Sequence, residues 1–197
     1  MILNIKSLIS EKFLFLSRFF HTPGQIGSVT PSSRFLARKM VESVPWNQVY
    51  HIAELGAGTG AITKYIQTAK RRNTKVLLFE KDPILRNKLA NEYANPDLAC
   101  YEDCRELYAA LCHENIEHLD CIISGLPFFN FPQVIRDQLI EQIIISLKPD
   151  GLFIAFQYSQ QMRNQLSEHF IIEKIKFVPM NLPPAFVYVC RKKAVPV

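Results

Sequence analysis

Three short stretches of the 197-residue chain combine residue types and spacing that can do chemistry: Glu54-Leu55-Gly56-Ala57-Gly58-Thr59-Gly60, Glu80 at the close of Val76-Leu77-Leu78-Phe79-Glu80, and Glu102-Asp103-Cys104. The first follows a β-branched run and precedes a helical one. A glycine-rich turn there lets the backbone approach a ligand closely at a helix N-terminus. Its order is E-x-G-x-G-x-G, not the G-x-G-x-x-G of a pyrophosphate loop. Glu80 ends the next apolar run, and a carboxylate at that place can accept from both hydroxyls of a ribose. Lys81 stands beside it, and Asp103 and Cys104 follow the third apolar run. The three stretches together describe a site for a nucleoside-type ligand.

The elements needed to hold these stretches can be read from hydrophobic periodicity. Strands are expected at Val49–Glu54, Lys75–Glu80, Leu98–Tyr101, Asp120–Ser124 and Gly151–Gln157, and helices at Ala61–Ala69, Ile84–Tyr93, Arg105–His113 and Gln133–Leu147. Pro149-Asp150-Gly151 reads as the turn between the last helix and its strand. Alternating strands and crossover helices make a parallel, doubly wound sheet. Phe170–Val178 and Ala185–Cys190 are separated by only six residues, too few for a crossover helix, so they pair antiparallel. The predicted fold is α/β: a Rossmann-like, doubly wound, seven-stranded sheet of five parallel strands plus a C-terminal antiparallel hairpin.

The loop Glu54–Gly60 resembles the first motif of class I methyltransferases that use S-adenosylmethionine (SAM). That resemblance implies that Glu54 reaches the methionine ammonium, that Glu80 takes the ribose, and that Asp103 accepts from the adenine amino group. The cofactor-binding set it implies is Glu54, Gly56, Ala57, Gly58, Gly60, Glu80, Lys81, Asp103, Cys104 and Ser124, with S-adenosylhomocysteine as product. Solvated acidic loops are the competing reading of Glu80 and Asp103.

Ser124-Gly125-Leu126-Pro127-Phe128-Phe129 closes the fourth strand, at the edge where ligands of open α/β sheets sit. Amino-methylating relatives carry an N-P-P-[FY] or N-L-P-Y motif at this place, and here Ser stands for Asn. Ser cannot make the paired hydrogen bonds by which an Asn amide positions a planar exocyclic amine, so an acceptor without a planar base is favoured. Ile26-Gly27-Ser28, Pro31-Ser32-Ser33-Arg34, Ser124-Gly125-Leu126-Pro127 and Asn181-Leu182-Pro183-Pro184-Ala185-Phe186-Val187-Tyr188 together resemble bacterial phospholipid N-methyltransferases, over about residues 18 to 191. That family is similar in fold to ribosomal RNA adenine dimethylases. It implies stepwise methylation of phosphatidylethanolamine toward phosphatidylcholine. Arg34, Gly125, Leu126, Pro127, Phe128 and Phe129 are then the candidate substrate-binding residues, with Arg34 near the lipid phosphate. Phe128, Phe129 and Phe131 would form an aromatic wall for the methylated cation, core packing being the alternative. Methylation of an amine requires loss of a proton. His21 and Tyr158 are candidates for the base by position alone, where structural roles compete.

Residues 1–22 read as a separate amphipathic helix ahead of a methyltransferase domain spanning 23–197. Ile5, Leu8, Ile9, Phe13, Phe15, Leu16, Phe19 and Phe20 fall on one side and Lys6, Ser7, Ser10, Glu11, Ser17 and Arg18 on the other. A helix of this kind lies in a membrane interface, or else packs on its own domain. The formal charge of +5 is uneven: Lys plus Arg against Asp plus Glu is 6 to 2 over residues 1–50, 11 to 14 over 51–159, and 6 to 2 over 160–197. Two basic ends around an acidic middle suggest a polyanionic partner, either a nucleic acid or an anionic membrane surface, although solvated lysines would give the same count. The amphipathic start and Ser124 favour the membrane surface, and a nucleic acid is not expected. No run approaches the roughly 18 apolar residues of a membrane span, and Lys6, Glu11 and Lys12 interrupt any secretory signal. The expectation is a cytoplasmic protein held peripherally at the inner membrane face. Cys100, Cys104, Cys112, Cys121 and Cys190 include no CxxC pair, and neither disulfides nor a metal site is expected.

Overall fold

The computed structural model describes residues 33–128 and 131–193. The expected N-terminal helix, His21, the Ile26-Gly27-Ser28 stretch and Phe129 lie outside the described residues. In chain order the elements are α1 (Arg34–Val41), β1 (His51–Leu55), α2 (Thr63–Ala69), β2 (Lys75–Phe79), α3 (Pro83–Glu92), β3 (Leu98–Tyr101), α4 (Leu107–His113), β4 (Leu119–Ser124), α5 (Gln133–Ser146), β5 (Leu147–Gln157), α6 (Arg163–His169), β6 (Phe170–Val178) and β7 (Ala185–Lys192). A short 3-10 turn precedes β1 and another precedes α4.

The strands form one sheet in the order β3-β2-β1-β4-β5-β7-β6. β1 to β5 are mutually parallel, β7 runs antiparallel to both β5 and β6, and β6 therefore points the same way as the first five. The hairpin expected from sequence is present, with its second strand inserted next to β5. Because strand side chains alternate between faces, adjacent residues feed different cores. Ala53, Leu77, Ile122 and Phe153 pack with α4, α5 and α6 on one side. Ile52, Val76, Leu78, Ile123 and Ile154 pack on the other, with α1, α2 and α3 supplying Leu36, Met40, Ile66 and Leu89.

Two stretches differ from the periodicity reading. Pro149-Asp150-Gly151 does not separate helix from strand; it is an outward bulge within β5, where the pairing with β4 jumps from Leu119–Leu147 to Cys121–Leu152 and Asp150 takes a φ of 60°. α6 has no counterpart in the sequence reading, because only Leu166 of its seven residues is buried and no apolar stripe announces it. Capping fixes the helices that matter for the site. Ser33 caps α1 by accepting from the Leu36 N–H, and Asp82 caps α3 by accepting from Ile84 and Leu85. No described helix is long and apolar enough to cross a membrane.

Candidate functional site

All parallel strands end at one edge of the sheet, and the loops leaving that edge bring the expected cofactor residues together. Gly56, Gly58 and Gly60 have φ values of 74°, 56° and 84°, the left-handed region that other L-residues enter only at a cost of about 1–2 kcal/mol. The Gly56 and Ala57 amides both donate to the Phe79 carbonyl, which pins the loop to the end of β2. A Cβ on Gly56 would come within 2.6 Å of Leu126 Cδ2, and one on Gly125 within 2.7 Å of the Gly56 carbonyl oxygen. The β1–α2 and β4–α5 loops are thus in backbone contact. Gly58 is different, because a Cβ there would meet no atom within 4 Å.

Two carboxylates flank this open turn. One oxygen of Glu80 accepts from the Gly58 amide at 2.6 Å and the other from the Asp82 amide at 2.9 Å. Burial nevertheless raises the Glu80 pKa, against the hydrogen bonds that favour its ionised form. Glu54 is fully buried beneath the first turn of α2. Its Oε2 accepts from the Thr63 hydroxyl at 2.7 Å, while its Oε1 has no hydrogen-bond partner. Desolvation pushes its pKa up to about 8. A buried carboxylate with one unmet oxygen is a site that a proton or a cationic group completes. An open turn at Gly58 and an unmet carboxylate oxygen below it fit a cofactor that carries an ammonium group and a ribose.

The residues expected from the motif to border an adenine are paired with their neighbours. Asp103 accepts from the backbone and the guanidinium of Arg105 at 2.9 and 3.0 Å and stands 3.8 Å from Lys81 Nζ. Burial pulls its pKa up, but the bonds from Arg105 outweigh this and hold the carboxyl below the usual range. Cys104 next to it is half-buried, and desolvation pushes its thiol pKa up to about 12, which disfavours the nucleophilic thiolate.

Ser124 and the residues expected to meet the acceptor turn inward. Ser124 is fully buried and its hydroxyl accepts from the Leu126 N–H at 3.1 Å, shaping the Gly125-Leu126 turn from inside. Leu126, Pro127 and Phe128 are buried, and Phe128 packs edge-on to Phe153 at 5.8 Å and Phe131 at 6.4 Å. For Phe128 the geometry is that of core packing. Arg34 is exposed at the start of α1, with its guanidinium over the Phe35 ring at 4.9 Å. Tyr158, at the end of β5, packs edge-on to Phe156, and burial raises its pKa, which works against service as a base near neutral pH. Two contributors were not foreseen. Thr63 bonds Glu54 across nine residues, and Arg86 ties the ends of β2 and β3 by donating to the Glu80 and Lys81 carbonyls and pairing with Glu102. A hydroxyl residue opening the helix after the glycine loop was the available signal for Thr63.

No family model matches the chain. A curated protein from Singulisphaera acidiphila, described as an ornithine lipid N-methyltransferase, is 37% identical over 188 residues, covering 93% of this chain and 97% of that protein. The chain belongs to that N-methyltransferase family. It is a SAM-dependent class I methyltransferase, as the loop motif and strand order anticipated. Among solved structures, the N-methyltransferase NodS from Bradyrhizobium japonicum WM9, in complex with S-adenosylhomocysteine, superposes with a TM-score of 0.66 over 93% of this chain and 99% of its own, at 11% identity. Precorrin-6y C5,15-methyltransferase from Geobacter metallireducens gives 0.59 over 80% and 88%, also at 11% identity. One of these neighbours is an N-methyltransferase and the other a C5,15-methyltransferase, so the likeness to them shows the fold and says nothing of the acceptor.

Proposed function

We propose that this methyltransferase transfers methyl groups to the amine headgroup of a membrane aminolipid. The observation that carries the reading is the relative from Singulisphaera acidiphila, similar along nearly the whole of both chains and described as acting on an ornithine lipid. Ornithine lipid is therefore the favoured acceptor. Phosphatidylethanolamine, implied by the family resemblance, offers the same primary amine and is the second. Both have a flexible aliphatic amine, which agrees with Ser124 standing where a base-methylating enzyme presents an Asn amide.

Residues 1–22 act in this reading as an interfacial helix and 23–197 as the catalytic domain, at the inner membrane face. Glu54 meets the cofactor ammonium with its unpartnered Oε1, Gly56, Ala57, Gly58 and Gly60 let the backbone pass under the methionine part, and Glu80 turns from the Gly58 amide to the ribose hydroxyls. Asp103, Lys81 and Cys104 border the adenine, with Asp103 held ready by Arg105. Ser124 supports the Gly125-Leu126-Pro127 turn beside which the acceptor amine would sit, and Arg34 meets the acidic part of the headgroup. When bound, SAM supplies a sulfonium-activated methyl group that a neutral amine takes by direct displacement, leaving S-adenosylhomocysteine. The protein's part is alignment and exclusion of water, effects worth about 7–11 kcal/mol in favourable cases.

The test is to incubate the purified chain with methyl-labelled SAM and, separately, vesicles containing ornithine lipid, vesicles containing phosphatidylethanolamine, unmodified ribosomal RNA, or small amines. Label in either aminolipid supports the reading, and the two vesicle arms decide between acceptors. Label in RNA or a soluble amine with none in lipid refutes it.

A further inference from the structure

The four most exposed large hydrophobic side chains among the described residues are Ile84 at 77%, Leu182 at 74%, Val134 at 67% and Met180 at 65%. They come from three separate places in the sequence, yet all lie on the same edge of the sheet. Ile84 opens α3 just after β2, Val134 opens α5 just after β4, and Met180 and Leu182 occupy the turn after β6, which runs parallel with β1 to β5. Phe35 and Phe177, also exposed, flank them on α1 and at the end of β6. This is the edge that carries the Glu54–Gly60 loop and Glu80. Exposed apolar side chains scattered singly are ordinary; concentration of the most protruding ones around the mouth of one site is not.

We propose that this carboxyl edge is a membrane-docking rim: Ile84, Val134, Met180 and Leu182 insert into the bilayer interface around the active-site mouth and let the acceptor headgroup enter without leaving the membrane. The inference rests on the aminolipid reading above.

Three observations identify the occupant as an anionic lipid surface. First, the rim is bordered by cations on the α1 and β6 side: Arg34 and Lys39 from α1, Lys174 and Lys176 from β6, with Arg38 paired to Glu42 at 2.6 Å. Lys176 reaches across to the end of α1, its Nζ donating to the Ser43 hydroxyl at 2.8 Å; burial, and then repulsion from Lys39 and Lys174, lowers its pKa against the pull of Glu42. Second, two acids of the same edge are neutralised locally, Asp103 by Arg105 and Lys81, and Glu102 by Arg86, so these two oppose an anionic surface little. Third, the chain enters the described fold beside this rim. Asn181 is buried in the β6–β7 turn, where its Oδ1 accepts from the Ser33 amide at 3.2 Å and its Nδ2 donates to the Pro183 carbonyl at 2.7 Å. The 32 residues ahead of Ser33, whose first twenty set an apolar against a polar face at helical spacing, thus join the fold where Met180 and Leu182 protrude. A protein partner would want a contiguous apolar patch, whereas separate apolar tips on three loops with peripheral lysines suit an interface with headgroups between them.

The test uses the full chain and vesicles of phosphatidylglycerol with brominated phosphatidylcholine, which contain no primary amine, so binding does not depend on the acceptor. The single native tryptophan, Trp46, precedes β1 at the opposite edge and serves as the baseline. Fluorescence of Leu182→Trp and Ile84→Trp is expected to be quenched by the brominated lipid well beyond the wild type, and that of Ile145→Trp, on the far end of α5, is not. The double variant Met180→Ser/Leu182→Ser is expected to bind these vesicles at least tenfold more weakly, a loss of about 1.4 kcal/mol or more, with SAM affinity in the absence of lipid unchanged. Equal quenching at positions 145 and 182, quenching at neither, or unaltered vesicle binding of the double variant overturns the proposal. Methylation of detergent-dispersed aminolipid separates the two readings: if it persists without rim quenching, the docking rim fails and the aminolipid reading stands; if rim quenching occurs with no aminolipid methylated, the reverse holds.

Discussion

Glu54→Gln should make the protein more stable at slightly alkaline pH while damaging cofactor binding. The Glu54 carboxyl is fully buried and its pKa is raised from 4.5 to about 8, so between those values the unfolded chain is ionised there and the folded chain holds the proton. The wild-type stability contributed by this group is therefore complete below about pH 4.5 and is lost as pH rises through about 8, at about 1.4 kcal/mol per pH unit in between. Gln removes the titration and keeps an oxygen for the Thr63 hydroxyl, but it places an amide N–H group where Oε1 has no partner, a penalty of about 1–3 kcal/mol. The variant should be the less stable protein near pH 5 and the more stable near pH 8. The swing in the difference is about 3–4 kcal/mol, or about 10 °C in relative melting temperature for a domain of this size. Denaturant or thermal unfolding of both proteins at several pH values reads it directly, because every other titrating group cancels in the difference. Stability curves that stay parallel within about 0.5 kcal/mol from pH 5 to 8 would show that Glu54 is ionised throughout and sink the reasoning. The companion result is weaker binding of SAM by the variant at pH 8, measured by calorimetry.

Removing the hydroxyl that supports Glu54, as Thr63→Val, should cost about 1–3 kcal/mol of stability by leaving a buried acceptor unpaired and should move the fall in stability to higher pH. Gly56→Ala and Gly58→Ala should separate packing from binding: the first meets Leu126 at 2.6 Å in addition to its positive φ and should lose about 2–4 kcal/mol, whereas the second should lose about 1 kcal/mol and be noticed mainly as weaker SAM binding. Unfolding curves and cofactor titration of the two variants check this, and equal destabilisation would contradict the geometry. Glu80→Ala should weaken SAM binding at least tenfold, from the loss of charge-assisted bonds worth about 1.5–3 kcal/mol; unchanged binding would remove Glu80 from the ribose site.

The order of strands and helices was legible because short apolar runs bounded by turn residues alternate with longer segments of helical composition. The glycine loop and Glu80 were legible because their chemistry is local, within a few residues of a strand end. What stayed hidden was set by contacts between distant positions. Nothing around Ser124 announces that its hydroxyl turns inward to Leu126, and nothing around Phe128 says that Phe153 fills the space beside it. Thr63 acquires its meaning only when α2 lies over β1. Asp103 reads as a free acid until Arg105, two residues on, folds back onto it. α6 escaped notice because a seven-residue helix with one buried leucine has no periodicity to detect, and the bulge at Asp150 because the sequence marks a turn without marking the strand that resumes on both sides of it. The acceptor was the least legible part, since the fold alone serves nitrogen and carbon methylation alike.

Mass spectrometry of lipids extracted after the purified chain has acted on ornithine-lipid vesicles with SAM tests the central claim most directly. The account predicts headgroup fragments carrying added methyl groups on the amine nitrogen with the wild type, and none with Glu80→Ala. Headgroups left unmodified by a wild-type protein that binds SAM, with methylated product found in a soluble amine or RNA instead, would contradict it.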